Sequence, residues 1–133
     1  MQILNQPKEL NQITTNQEDK PTKSVGKPCV FCSIVTGTEP SIVVYQDDDV
    51  LVFRNRLRWV PIMLLAIPKV HMTQDQLWSS TIVSKVASVA ARVGRQECPK
   101  GYRLLSNFGG DAMQSVEHGH IHILGGIHLG PYA

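Results

Sequence analysis

Residues 117–126 read EHGHIHILGG, with histidines at 118, 120 and 122 and a Gly-Gly close. The chain has only five histidines in 133 residues, so three on alternate positions of an apolar stretch form an arranged cluster. Side chains two apart share a side only in extended backbone, where successive residues point to opposite faces. A strand over 118–124 therefore lines one face with three imidazoles and turns Gly119, Ile121 and Ile123 to the other. At ~3.3 Å rise per residue the row spreads over about 13 Å, too far for all three rings to meet at one metal ion. The three histidines are expected to divide their labour.

Working outward, the flanking segments supply the rest of a sheet. CSIVTG (32–37) reads as a short helix ended by Gly37, and SIVVYQ (41–46) as a strand rich in β-branched residues. The acidic triplet Asp47-Asp48-Asp49 turns the chain into VLVFRN (50–55), the returning strand of a hairpin. MLLAIP (63–68) is a buried strand stopped by Pro68. Ile82, Val86, Val89, Ala90 and Val93 recur at three- and four-residue spacing, which predicts one amphipathic helix over 75–97. YRLLSN (102–107) is a strand, and the glycine-containing FGGDAMQSVE (108–117) is the loop into the histidine strand. Together these predict an α+β domain: an antiparallel sheet of about five strands, one long and one short helix, and one covered face. Residues 1–25, rich in Gln, Asn, Thr and Lys without a sustained period, are expected to be a flexible extension before a domain over 26–133.

Composition narrows the function. A net charge of +2 is too small to make nucleic acid the principal partner. No apolar run approaches the roughly 18 residues of a membrane span. The start has no basic segment followed by an apolar one, so no secretory signal is read and the cytoplasm is the expected address. Cys29, Cys32 and Cys98 are an odd set without a secretory context, which argues against a disulfide framework. Cys98 is read as a free thiol without a role. Cys29-Val-Phe-Cys32 has C-x-x-C spacing, which serves redox or metal chemistry or belongs to two unpaired thiols. The redox reading wants a βαβ unit that this chain does not offer. A zinc site needs further ligands, and His71 with one end of the histidine row are the candidates.

The residues resemble a known family. QSVEHGHIHILGG matches the alternating His–apolar signature of the histidine triad, or HIT, proteins. The likeness continues through NFGGDAMQSV, IPKVH, VYQDDDVLVF and CVFCSI, covering about residues 29–133. It is strongest to the Hint branch, whose chains end in a similar Leu-Gly-Gly strand with a Pro-containing tail. The resemblance implies a HIT-like fold, a homodimer and nucleotidyl transfer, with a purine nucleotide or nucleoside phosphoramidate as substrate and no organic cofactor. His120 would attack the α-phosphate and form a covalent nucleotidyl-histidine that water hydrolyses. A neutral imidazole suits that task near pH 7. By the same likeness the His118 carbonyl orients His120, His122 donates to a nonbridging oxygen, and Ser115 donates to the leaving group. Asn107, Gln114 and Val116 fall beside the ribose and phosphate, and Phe31, Ile34, Phe53 and Leu65 around the purine. The likeness also implies a structural zinc held by Cys29, Cys32, His71 and His118.

Three positions depart from the pattern. Gly119 stands where an apolar residue is usual. Met63 replaces a histidine near the phosphate or leaving group, and it cannot transfer a proton. Asn55 replaces a ribose-binding aspartate, giving up a charge-assisted bond. That loss beside Arg54, Arg56 and Arg58 makes the rim more basic and makes dinucleoside polyphosphate hydrolysis the second candidate activity. A nucleotide-binding regulatory protein with little turnover is the alternative of another class, and a zinc-dependent scaffold a third. Trp59 and Trp78 receive no role.

Overall fold

The structure is a computed structural model that describes residues 29–131. The expected extension over 1–25 lies outside the described residues. Five strands form one antiparallel sheet: β1 (Val43–Gln46), β2 (Val50–Arg54), β3 (Ile62–Pro68), β4 (Tyr102–Leu105) and β5 (Ile121–Gly125), in the order β1-β2-β3-β5-β4. Helix α1 (Val30–Thr36) precedes the sheet, and α2 (Gln74–Trp78) and α3 (Ile82–Glu97) lie between β3 and β4. The α+β class and the antiparallel sheet stand as expected. Among the described residues no helix is long and apolar enough to cross a membrane.

The sheet is covered on one face by α3, and over β2 and β3 the other face is covered too, against the expectation of a single covered face. Val50 and Val52 of β2, Leu64 and Ala66 of β3, and Ile121 and Ile123 of β5 pack with Val86, Val89, Ala90 and Val93 of α3. The alternate residues Leu51, Phe53, Leu65 and Ile67 pack with Phe31 of α1. Strands β2 and β3 are thus buried on both faces, which is why they read as continuous apolar runs. The short helix sets up the second layer: Gly37, at φ 86°, ends it in a left-handed turn whose N–H bonds Ile34 and Ser33.

The expected single helix over 75–97 is two helices. Thr73 and Gln76 form a capping box that starts α2, and α2 stops at Ser79. Ser80 turns its hydroxyl back to the Leu77 carbonyl at 3.1 Å, satisfying a group that a continuing helix would have used. The histidine strand is shorter than its alternation suggests, because the β3–β5 ladder begins only at Ala66 and Ile121. Pro68 has no N–H with which to continue it. The Gly119 N–H turns instead to the Met72 carbonyl at 2.7 Å. That approach explains the missing side chain, since a Cβ on Gly119 would sit 2.7 Å from Leu77 Cβ and 3.1 Å from the Thr73 carbonyl.

Candidate active site and metal centre

The alternation of 118, 120 and 122 does put three imidazoles along one side, and each meets different surroundings. The first joins α1. Cys29 is the N-cap of α1 and its sulfur accepts the Cys32 N–H at 3.4 Å, so C-x-x-C places both sulfurs at the helix start. Four donor atoms converge there, Sγ of Cys29 and Cys32 and Nδ1 of His71 and His118, all within 4.8 Å of one another. Zinc bond lengths of about 2.3 Å to sulfur and about 2.05 Å to nitrogen imply tetrahedral edges of about 3.5 Å (S to N) and about 3.3 Å (N to N). The separations are 3.4 Å for Cys29–His118 and Cys32–His71, 3.6 Å for Cys32–His118 and 3.2 Å for His71–His118. The residues therefore fit a tetrahedral ion.

Two further features suit ligation. His118 Nε2 lies 2.9 Å from the Pro68 carbonyl, which assigns its proton to Nε2 and leaves the Nδ1 lone pair facing the cluster. Burial, with His71 and His120 adding to it and the Pro68 bond opposing, holds the His118 ring neutral by pushing its pKa down. Burial, and then the Cys29 sulfur beside it, push the Cys32 thiol up to about 11. Metal binding here must therefore expel a proton.

The other two histidines face a cavity of about 990 Å³. His120 is buried, and its Nδ1 lies 2.6 Å from the His118 carbonyl, so Nδ1 carries the proton and Nε2 the free lone pair. Burial lowers the His120 pKa, opposed by that carbonyl bond and by Glu117. His122 lies beside it, ring centres 5.2 Å apart, and burial with His120 pushes its pKa down to about 4. Both imidazoles are neutral at pH 7. Phe31 packs edge-on against His120 and Phe53, each at 5.3 Å between ring centres, and against His118 at 5.8 Å. It is the partition between the cluster and the cavity.

The cavity gathers Phe31, Ile34, Phe53, Asn55, Leu65, Asn107, Ser115 and Val116 around His120 and His122. Gln114 is not on this wall. Its carboxamide accepts the Gly109 N–H at 2.8 Å and donates to the Val116 carbonyl at 3.1 Å, closing the loop that carries Ser115. Asn55 spends its side-chain oxygen on the Leu57 N–H at 3.0 Å. Met63 lines the cavity and pairs with Leu124, two residues beyond His122, and its sulfur accepts the Trp59 backbone N–H at 3.1 Å. Arg56 is ion-paired with Glu39. Trp59 and Met113 are further wall residues that carried no signal in the sequence.

Two polar residues that sequence reasoning missed hold the His120 backbone. Gln74, 2% exposed, accepts the His120 N–H on Oε1 at 2.8 Å. Ser106 donates its hydroxyl to the His120 carbonyl at 2.6 Å and accepts the Trp78 indole N–H at 3.2 Å. One signal was present: Gln74 lies three residues before Leu77 on the buried stripe of α2, where a polar side chain needs an internal partner.

This is an α+β protein with a nucleophile-competent imidazole on the wall of a mostly apolar cavity, beside a Cys₂His₂ cluster. The HIT domain profile matches residues 36–129, and the chain belongs to the HIT family. It is 36% identical over 107 residues to the purine nucleoside phosphoramidase of Escherichia coli (strain K12), a match covering 77% of this chain and 90% of that one. Identity to the 14 kDa zinc-binding protein of Brassica juncea is 36% over 103 residues, covering 73% of this chain and 91% of the relative. The solved HIT family hydrolase of Clostridium thermocellum superposes with a TM-score of 0.73 at 33% identity, covering 80% of this chain and 96% of the other.

Proposed function

We propose that the protein hydrolyses purine nucleoside phosphoramidates and related nucleotidyl compounds through a covalent intermediate on His120. The observation that carries this reading is the short bond from His120 Nδ1 to the His118 carbonyl, which leaves Nε2 as a lone pair at the cavity wall. In the first step Nε2 bonds to the α-phosphorus and the bond from phosphorus to the leaving nitrogen breaks. The amine leaves with a proton from solvent, because Met63 supplies none. In the second step water bonds to phosphorus, the bond to Nε2 breaks, and the water proton passes to solvent, returning the neutral ring. The neutral His122 ring and the Ser115 hydroxyl are the donors for the charge that develops on phosphate oxygen and leaving group. The purine lies over Phe31, Ile34, Phe53 and Leu65, with Asn107, Asn55 and Val116 towards the ribose.

Cys29, Cys32, His71 and His118 would hold a zinc ion, which would supply structural cross-linking between the start of α1, the 68–72 segment and the segment leading into β5. No organic cofactor is invoked. The family likeness extends the reading to a cytoplasmic homodimer, which light scattering tests. A second reading, nucleotide binding with little turnover, draws on Met63 at the leaving-group side and on Asn55 turned into its own loop. The same chemistry on a dinucleoside polyphosphate is the remaining enzymatic alternative.

The test is steady-state hydrolysis of an adenosine phosphoramidate with a fluorescent amine, by wild type, His120→Ala and Met63→His. Turnover lost with His120→Ala supports the enzyme. Tight AMP binding by a chain that turns over none of these substrates selects the binder.

A further inference from the structure

His120 precedes the first ladder pair of β5, so no strand partner fixes its peptide. Side chains take the place of the ladder, Gln74 from α2 and Ser106 from just past β4. The His120 carbonyl is met by Ser106, which Trp78 in turn holds, and its N–H is met by Gln74. Gln74 has a second arm: Nε2 donates to the Asn107 carbonyl at 3.0 Å, on the loop facing the histidines. Its own N–H faces a Glu117 carboxylate oxygen at 3.3 Å.

The two arms dictate the residue type. An N–H needs an acceptor and a carbonyl needs a donor, and a carboxamide offers both from one planar group. The same pairing fixes which way the amide points, with oxygen to His120 and nitrogen to Asn107. Glutamate would keep the acceptor and set a negative oxygen against the Asn107 carbonyl. Methionine would fill the space and leave both backbone groups unmet. A buried polar group so placed costs stability when unpartnered, so a structural role alone accounts for its burial but not for its position between two cavity walls.

We propose that Gln74 is the positioning residue of this site: its carboxamide ties the His120 backbone to the Asn107 loop and so sets where the imidazole stands against a bound phosphate. This rests on the reading of His120 as nucleophile. Misplacement of a reacting group by about 1 Å costs on the order of a hundredfold in rate, and the chemical step should suffer while the purine walls stay intact.

The experiment compares wild type, Gln74→Met and Gln74→Glu in the full chain by kinetics and by the low-field proton resonance of His120 Nδ1–H. The expected result for Gln74→Met is a fall in kcat of about 10- to 100-fold with KM changed by less than about threefold, and a shifted His120 resonance. Gln74→Glu, which keeps the contact to His120, should show a smaller shift of the resonance and an intermediate kcat. Should Gln74→Met fail to fold, Gln74→Glu decides, and wild-type kcat with an unmoved resonance overturns the proposal. Equal kcat and resonance in wild type and Gln74→Met overturns it as well. Should the wild type turn over no substrate, the reading of His120 fails separately. The resonance alone then judges Gln74: a shift supports the positioning, and none overturns it.

Discussion

The first two histidines of one row differ in what their second nitrogen meets. His118 has both ring nitrogens committed, Nε2 to the Pro68 carbonyl and Nδ1 to the cluster with Cys29, Cys32 and His71. His120, two residues on, commits Nδ1 to the His118 carbonyl and turns Nε2 to the cavity. The ring of His122 has no hydrogen-bond partner among the described residues. Three identical side chains at identical spacing thus receive three environments, set by backbone carbonyls and by which helix lies opposite. In such a row the hydrogen bond on the far nitrogen, more than the residue type, decides between ligand and nucleophile.

That contrast is broken most severely by exchanging the two losses. His120→Ala should lower kcat by about 10⁴-fold or more while zinc content stays at the wild-type level, measured by turnover and by elemental analysis. His118→Ala should lose the metal. Equal zinc loss in both variants would erase the distinction. Metal removal comes next in size. A strong chelator, or Cys29→Ser, should lower the melting temperature by on the order of 10 °C or more, since a bound ion adds a few kcal/mol at saturating concentration. An unchanged melting curve would remove the cluster from the account of stability.

A smaller effect tests how α2 is seated against the row. Gly119→Val drives a side chain into Leu77 and should cost about 1–3 kcal/mol in urea unfolding. Leu77→Ala in the same chain should not rescue it, because the closest clash is with Leu77 Cβ, which alanine keeps. Smallest of all is a control remote from both histidines. Asp47 accepts from the Tyr45 hydroxyl and from the Asp49 and Val50 N–H groups, and these bonds, Tyr45 foremost, hold its carboxyl down to about 2. Its folded pKa lies below the unfolded value of 3.8, so its stabilisation is complete above about pH 4 and fades as pH falls towards 2. Asp47→Asn should therefore melt lower than wild type at pH 7, and the gap should close in that acid window.

How much of this was legible follows from the range of the causes. The alternation of 118, 120 and 122, the apolar runs of β2 and β3, Gly37 and the C-x-x-C spacing are local patterns, and each led to the right element or cluster. The second covered face was not legible, because α1 is too short to announce by periodicity which side it packs on. The break at 79–81 depends on a serine hydroxyl returning to Leu77, and a helical apolar pattern runs through it unchanged. Gln74 and Ser106 act on the His120 peptide from 46 and 14 residues away in sequence, and nothing near position 120 points to them. Gly119 reads as a departure from the family pattern until Leu77 is seen in the space.

The most direct test of the division of labour is to trap the intermediate. Wild type is mixed briefly with an adenosine phosphoramidate, quenched in alkali because a phosphorus–imidazole bond is acid-labile, and mapped by peptide mass spectrometry. The account predicts a single adenylyl group on His120, with none on His118 or His122. Turnover with the label on another residue, or with no label on any histidine while the burst of released amine is stoichiometric with enzyme, would contradict it.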